Sequence, residues 1–256
     1  MNKELLREFL EEKYNLYNNS SFSESDPISV PHQFSKKEDI EIAAFLTATI
    51  AWGQRTTIIK NANALMQRMD YSPHEFIISA EGKDLKSFVN FKHRTFNGED
   101  CIFFILSLRN IYQKHGGLQK SFVVGEKKKG LKIEESISTF RDIFFEIPHL
   151  VRTTKHISDP GRNSAAKRIN MFLRWMVRKD KRGVDFGLWN QLKSGELVCP
   201  LDIHSGNTAR KLGILKRNQN DWIAAIELTE KLKEFDPVDP VKYDFALFGL
   251  GVFEKF

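Results

Sequence analysis

Between Ile40 and Ala51 a helix would have almost no polar face, because Ile40, Ala43, Phe45, Leu46, Ile50 and Ala51 surround its axis. Such a segment folds only when other elements cover it on every side, so it fixes the centre of a core. Ser35-Lys-Lys-Glu38 reads as a capping box that opens this helix, which runs to about Trp52. After Gly53 a second helix starts near Thr56, with Ile58, Ile59, Ala62 and Leu65 as its stripe. Ser72-Pro73-His74-Glu75 reads as another capped start. A further helix over 101–115 is stopped by Gly116-Gly117, and one over 133–146 carries Ile133, Ile137, Phe140 and Phe144 at helical spacing. Alternating apolar and polar runs are scarce. The expected class is therefore all-α, with roughly two-thirds of the residues helical and no central sheet.

The 256 residues, 41% hydrophobic and 28% charged, are enough to bury a substantial core as one large unit or two small ones. No stretch has the apolar length of a membrane span, and the start, MNKELLREFLEEKY, is unlike a signal peptide, so no membrane partner and a cytoplasmic location are expected. The net charge of +6 permits a polyanionic partner without demonstrating one. Two cysteines, Cys101 and Cys199, are too few for a disulfide framework or an all-cysteine metal site, and no metal or cofactor is expected. Residues 18–34 are polar and Pro-containing and read as a long connection; the charge run Glu126-Lys-Lys-Lys129 reads as an exposed loop.

The chemistry-bearing part begins at Ser158. Ser158-Asp159-Pro160-Gly161-Arg162-Asn163-Ser164 is turn chemistry, followed by a helix whose Ile169, Phe172, Leu173 and Met176 form a core-facing stripe. The other positions are basic: Lys167, Arg168, Arg174, Arg178, Lys179, Lys181 and Arg182. A Gly-containing turn at a helix start offers backbone N–H groups to a phosphate, and Arg162 and Arg168 would hold neighbouring phosphates. A solvated amphipathic helix fits the same pattern. Further on comes Val198-Cys-Pro-Leu-Asp202-Ile-His204-Ser-Gly-Asn207, then helices over 221–232 and 239–251.

Three of these segments, in this order, resemble motifs of the helix-hairpin-helix DNA glycosylases. Ile50-Ala-Trp52-Gly-Gln54 resembles the place where that family sets a glutamine after an apolar helix. Pro160-Gly161 and Lys167 resemble its hairpin and the lysine that follows. Asp202-Ile-His204 resembles its Asp-x-His motif. The chain looks closest to a bacterial family of unassigned function similar to the archaeal 8-oxoguanine DNA glycosylases. That resemblance implies one glycosylase-like unit over 1–256, with a helix-hairpin-helix element and a cleft between sub-lobes 36–150 and 151–256, residues 1–35 packing on them. It implies a monomer that excises an oxidised purine, 8-oxoguanine first among them, from double-stranded DNA. Lys167 and Asp202 would be catalytic. Gln54, Trp52, Asp244 and Phe248 would line the base pocket, and Gly161, Arg162, Asn163, Ser164 and Arg168 would contact the DNA backbone.

The residue types suit that chemistry. A carboxylate stabilises the positive charge that builds on a sugar during N-glycosidic cleavage. A neutral lysine amine attacks the anomeric carbon and holds it as a Schiff base. Asp202 also fits a plain helix N-cap, and Lys167 an ordinary solvated helix lysine. The competing reading is a helical nucleic-acid-binding protein without catalysis.

Overall fold

The computed structural model describes residues 2–123 and 132–256, so the charge run at 126–129 lies outside the described residues. The chain is mostly helical, 64% helix and 2% strand, as an all-α class requires. In chain order the helices are α1 (Lys3–Tyr17), α2 (Ser20–Glu24), α3 (Lys37–Thr49), α4 (Arg55–Arg68), α5 (Pro73–Ser79) and α6 (Gly82–Leu85). A two-residue hairpin, β1 (Lys92–His93) and β2 (Phe96–Asn97), pairs His93 with Phe96. Then follow α7 (Gly98–Lys114), α8 (Leu118–Ser121), α9 (Ile133–Phe144), α10 (Lys167–Val177), α11 (Ile203–Lys211), α12 (Trp222–Lys233) and α13 (Tyr243–Val252).

The chain forms two compact units. One is contiguous, 24–157; the other joins 1–23 to 158–256. In the first unit every residue of α3 from Ile40 to Thr49 is buried. Its cover is aromatic: the Phe45 ring lies 5.5 Å from those of Phe140 and Phe144 and 6.0 Å from that of Phe104. The α9 stripe Ile133, Ile137, Phe140 and Phe144 is buried as its spacing required.

Three local expectations need correction. Ser35 does not cap α3; Lys36 holds the N-cap position without a side-chain bond. Nor does Ser72 cap α5 through its side chain, because the α3 residue Asp39 accepts the His74 N–H at 2.8 Å instead. A tertiary carboxylate has replaced the local one. Residues 18–34 are not a simple connection: Pro27 and Pro31 each open a 3-10 turn, Asp26 caps the first, and Ile28 and Val30 are fully buried.

In the second unit α13 packs on both α1 and α11. Gly249 allows this, since a Cβ there would fall 2.1 Å from the Tyr17 ring. The α10 stripe Ile169, Phe172, Leu173 and Met176 is buried. Its opposite side is not the solvated basic face that the sequence suggests. Arg174 and Arg178 are also buried, inside a carboxylate network of Asp180, Asp185, Asp239 and Asp244. The sequence hides this because those aspartates lie 2 to 70 residues away from their arginines.

Candidate functional site

The turn ahead of α10 is closed on itself. Asp159 Oδ1 accepts the Gly161 N–H at 3.0 Å, its carbonyl accepts from Arg162 and Ser164, and Pro160 O accepts from Asn163. The backbone donors expected to seat a phosphate are thus taken within the turn, one of them by a carboxylate. Asn163 is left-handed (φ 61°), and its amide donates to Asp221 Oδ2 at 3.1 Å. Arg162 projects into solvent, 3.5 Å from Asp159. Arg168, by contrast, is half-buried, and burial pulls its guanidinium down to about 10.

Lys167 opens α10 straight after Ala166, a buried residue in left-handed conformation (φ 46°, ψ 35°). An L residue there costs about 1–2 kcal/mol, so something must hold it. Asn170 does: its amide donates to Ala165 O at 3.1 Å and its backbone N–H to Ala166 O at 2.9 Å.

Asp202 is delivered by the buried run Val198–Leu201 and forms the N-cap of α11 in a capping box with Ser205. Its Oδ1 accepts the Ser205 N–H at 2.9 Å, while its own N–H donates to Ser205 Oγ at 2.9 Å. The carboxylate still has a second oxygen, and Oδ2 lies 3.2 Å from Lys167 Nζ. The helix cap and the ion pair therefore use different oxygens of one carboxylate. Burial raises the Asp202 carboxyl, but the Lys167 ammonium and the Ser205 hydrogen bonds outweigh it and hold it below the usual range. Both side chains are partly accessible, 29% for Lys167 and 21% for Asp202, so a ligand can approach a pair that is not bathed in solvent.

Behind this pair stands Asp244, buried on α13 and bonded to Arg174 Nη1. Burial pushes its carboxyl up to about 6, with Arg174 opposing; the nearby Asp202 carboxylate adds to the rise and Lys167 works against it. Asp244 thus shares the electrostatic neighbourhood of the pair, although Arg174 occupies one of its oxygens. Phe248 differs: half-buried, it has edge contacts with Phe22 at 6.1 Å and Phe253 at 6.5 Å, as a packing residue would.

Trp52 and Gln54 belong to the 24–157 unit. Trp52 is half-buried and set by two histidines, His93 edge-on at 5.0 Å and His156 stacked at 6.1 Å. His156 is in turn fixed by the buried Asp100, which also binds Arg152 and Thr153. Gln54 is exposed at the N-cap position of α4, with no side-chain cap bond. Among the described residues no group of three or more His, Cys, Asp or Glu is arranged to hold a metal ion.

Several residues that shape this site escaped sequence reasoning. Ser205 was visible as the last residue of an Asp-x-x-Ser cap. Asn170, Arg174 and Asp185 gave no local signal.

Fold and site together define a helical protein with a lysine–carboxylate pair at the starts of two helices. The chain belongs to the DUF2400 family, a protein family of unknown function, whose model matches residues 26–253. No curated protein and no solved structure matches the chain. Among the described residues no helix is long and apolar enough to cross a membrane.

Proposed function

We propose that the protein is a DNA glycosylase with AP-lyase activity that excises an oxidised purine, 8-oxoguanine being the first substrate to test. The observation that carries this reading is the 3.2 Å pairing of Lys167 Nζ with Asp202 Oδ2, two residues 35 positions apart, at the first turn of one helix and the N-cap of another. In the reaction the amine attacks the sugar C1′, the C1′–N bond to the base breaks, and the base leaves with that electron pair. Asp202 stabilises the positive charge on the sugar as the bond breaks. Once the base has gone, the covalent link rearranges to a Schiff base, and loss of the C2′ proton expels the 3′ phosphate.

The attacking amine must be neutral, so Lys167 has to lose its proton before it attacks. That proton passes to solvent when DNA binds, which leaves Asp202 ionised for its part at the sugar. The same ion pair favours a second reading, in which the contact is purely structural and the protein binds nucleic acid without cleaving it.

Borohydride trapping on a duplex with one 8-oxoguanine separates the two. The glycosylase reading expects a covalent adduct with the native chain and none with Lys167→Gln. A native chain that releases no base and forms no adduct on any member of a panel of single-lesion duplexes would leave only the binding reading.

A further inference from the structure

Arg94 adopts a backbone conformation that most side chains avoid, φ 55° in the turn between β1 and β2, where glycine or asparagine is usual. Its side chain lies across Gly53, which is itself at φ 107°; a Cβ on Gly53 would fall 3.1 Å from Arg94 Nη1. The side chain is exposed, and among the described residues it has neither a hydrogen bond nor an ion-pair partner. An exposed guanidinium thus lies beside the start of α4, with no carboxylate of the described residues bonded to it.

The surroundings extend this feature into a surface. Arg68 Nε donates to Ser87 O at 3.0 Å, Asn61 donates to His93 Nδ1 at 2.8 Å, and His93 Nε2 meets Trp52 O at 3.1 Å. Residues 87–94 therefore run alongside α4 from its last turn back to its first. Neither 42–69 nor 85–98 contains an Asp or Glu, although the chain has 33. Together the two stretches carry Arg55, Lys60, Arg68, Lys86, Lys92 and Arg94. The exposed residues of α4 are Thr56, Thr57, Lys60 and Gln67, polar without exception, and Val89 is the one exposed large apolar side chain over 85–98, too little to anchor a lipid surface. What remains is a strip about 20 Å long, the length of α4, that is cationic and rich in hydrogen-bonding groups.

We propose that this strip of the 24–157 unit binds a nucleic-acid strand along its phosphates, with Arg94 as one phosphate contact. The proposal rests on the nucleic-acid reading given above but not on chemistry at Lys167. A strand suits the strip because its charges repeat along its length, so it can meet cations spread from one end of α4 to the other, whereas an acidic protein patch has no such repeat.

The test measures fluorescence anisotropy of labelled, undamaged single-stranded and duplex oligonucleotides with the full chain over a salt series. Arg94→Gln is expected to bind roughly tenfold more weakly and to flatten the salt slope by roughly 0.7 for the single strand or 0.9 for the duplex, one lost phosphate contact. Gly53→Ala, which displaces the guanidinium, is expected to weaken binding in the same direction. Lys83→Gln, in the same unit but paired with Glu81 at 3.3 Å, is expected to bind as the native chain does. Unchanged affinity and salt slope in Arg94→Gln would overturn the proposal, as would equal competition by polyglutamate at matched charge. Absence of the borohydride adduct alongside weakened binding by Arg94→Gln would remove the glycosylase reading and leave this surface standing.

Discussion

Replacing Asp244 by Asn should make the protein more stable, by an amount that depends on pH. The Asp244 carboxyl is buried and raised from 3.8 to about 6, so its surroundings favour the neutral form by about 3 kcal/mol, at 1.36 kcal/mol per pH unit of displacement. A raised folded-state value means that the native state holds the proton more tightly than the unfolded chain. Stability is therefore fully present below about pH 4 and is lost as pH rises through about 6. Asparagine resembles the neutral acid and carries no such loss. The opposing effect is the broken bond to Arg174, since removing one partner of a buried pair costs about 3–5 kcal/mol when it leaves a naked charge. Here it does not. Arg174 keeps Asp185 at 3.3 Å and the Phe245 ring at 4.2 Å, and the Asn oxygen can still accept from Nη1. The expected gain is about 3 kcal/mol above neutrality, or roughly 6–12 °C in Tm, shrinking to nothing near pH 4. Urea titrations of both proteins at several pH values, followed by tryptophan fluorescence, would measure it. A destabilised variant at neutral pH, or an offset independent of pH, would refute the reasoning.

Two further substitutions separate structure from chemistry at the paired site. Asp202→Ala removes the α11 cap and should cost about 1–2 kcal/mol in a urea titration, whereas Asp202→Asn keeps the cap and should slow base release without that loss. Equal destabilisation by both would mean that the ion pair, not the cap, dominates the stability. Ala166→Gly relieves the left-handed strain before Lys167 and should stabilise the protein by about 1 kcal/mol, a sign that thermal unfolding would check.

Helices were legible wherever apolar spacing alone decides: α9 and α10 bury the residues that their sequence periods name. The nearly all-apolar part of α3, from Ile40 on, is covered throughout, as its composition demands. The caps of α3 and α5 were not legible. Asp39 serves α5 from another helix, and no local pattern encodes that contact. Lys167 and Asp202 were legible as a candidate pair through motif order, but the direct 3.2 Å contact between them was not. The basic face of α10 misled for a plain physical reason. A run of arginines reads as solvated only until its carboxylates are located, and those of Arg174 and Arg178 come largely from the loop after α10 and from α13 with its approach.

The discontinuous unit sets a timetable for synthesis. Its first helix, α1, is made early, yet α13, the helix it packs on, begins 226 residues after α1 ends (243 − 17). At about 5–20 residues per second that is a wait of roughly 11–45 s. Alone, fifteen residues form a marginal helix in water, and Leu10 and Tyr14 would stay uncovered meanwhile. Residues 24–157 are contiguous, so their internal packing faces no such delay. A ribosome therefore carries an already folded 24–157 unit with a loose leading helix, and α1 docks in the last act of folding.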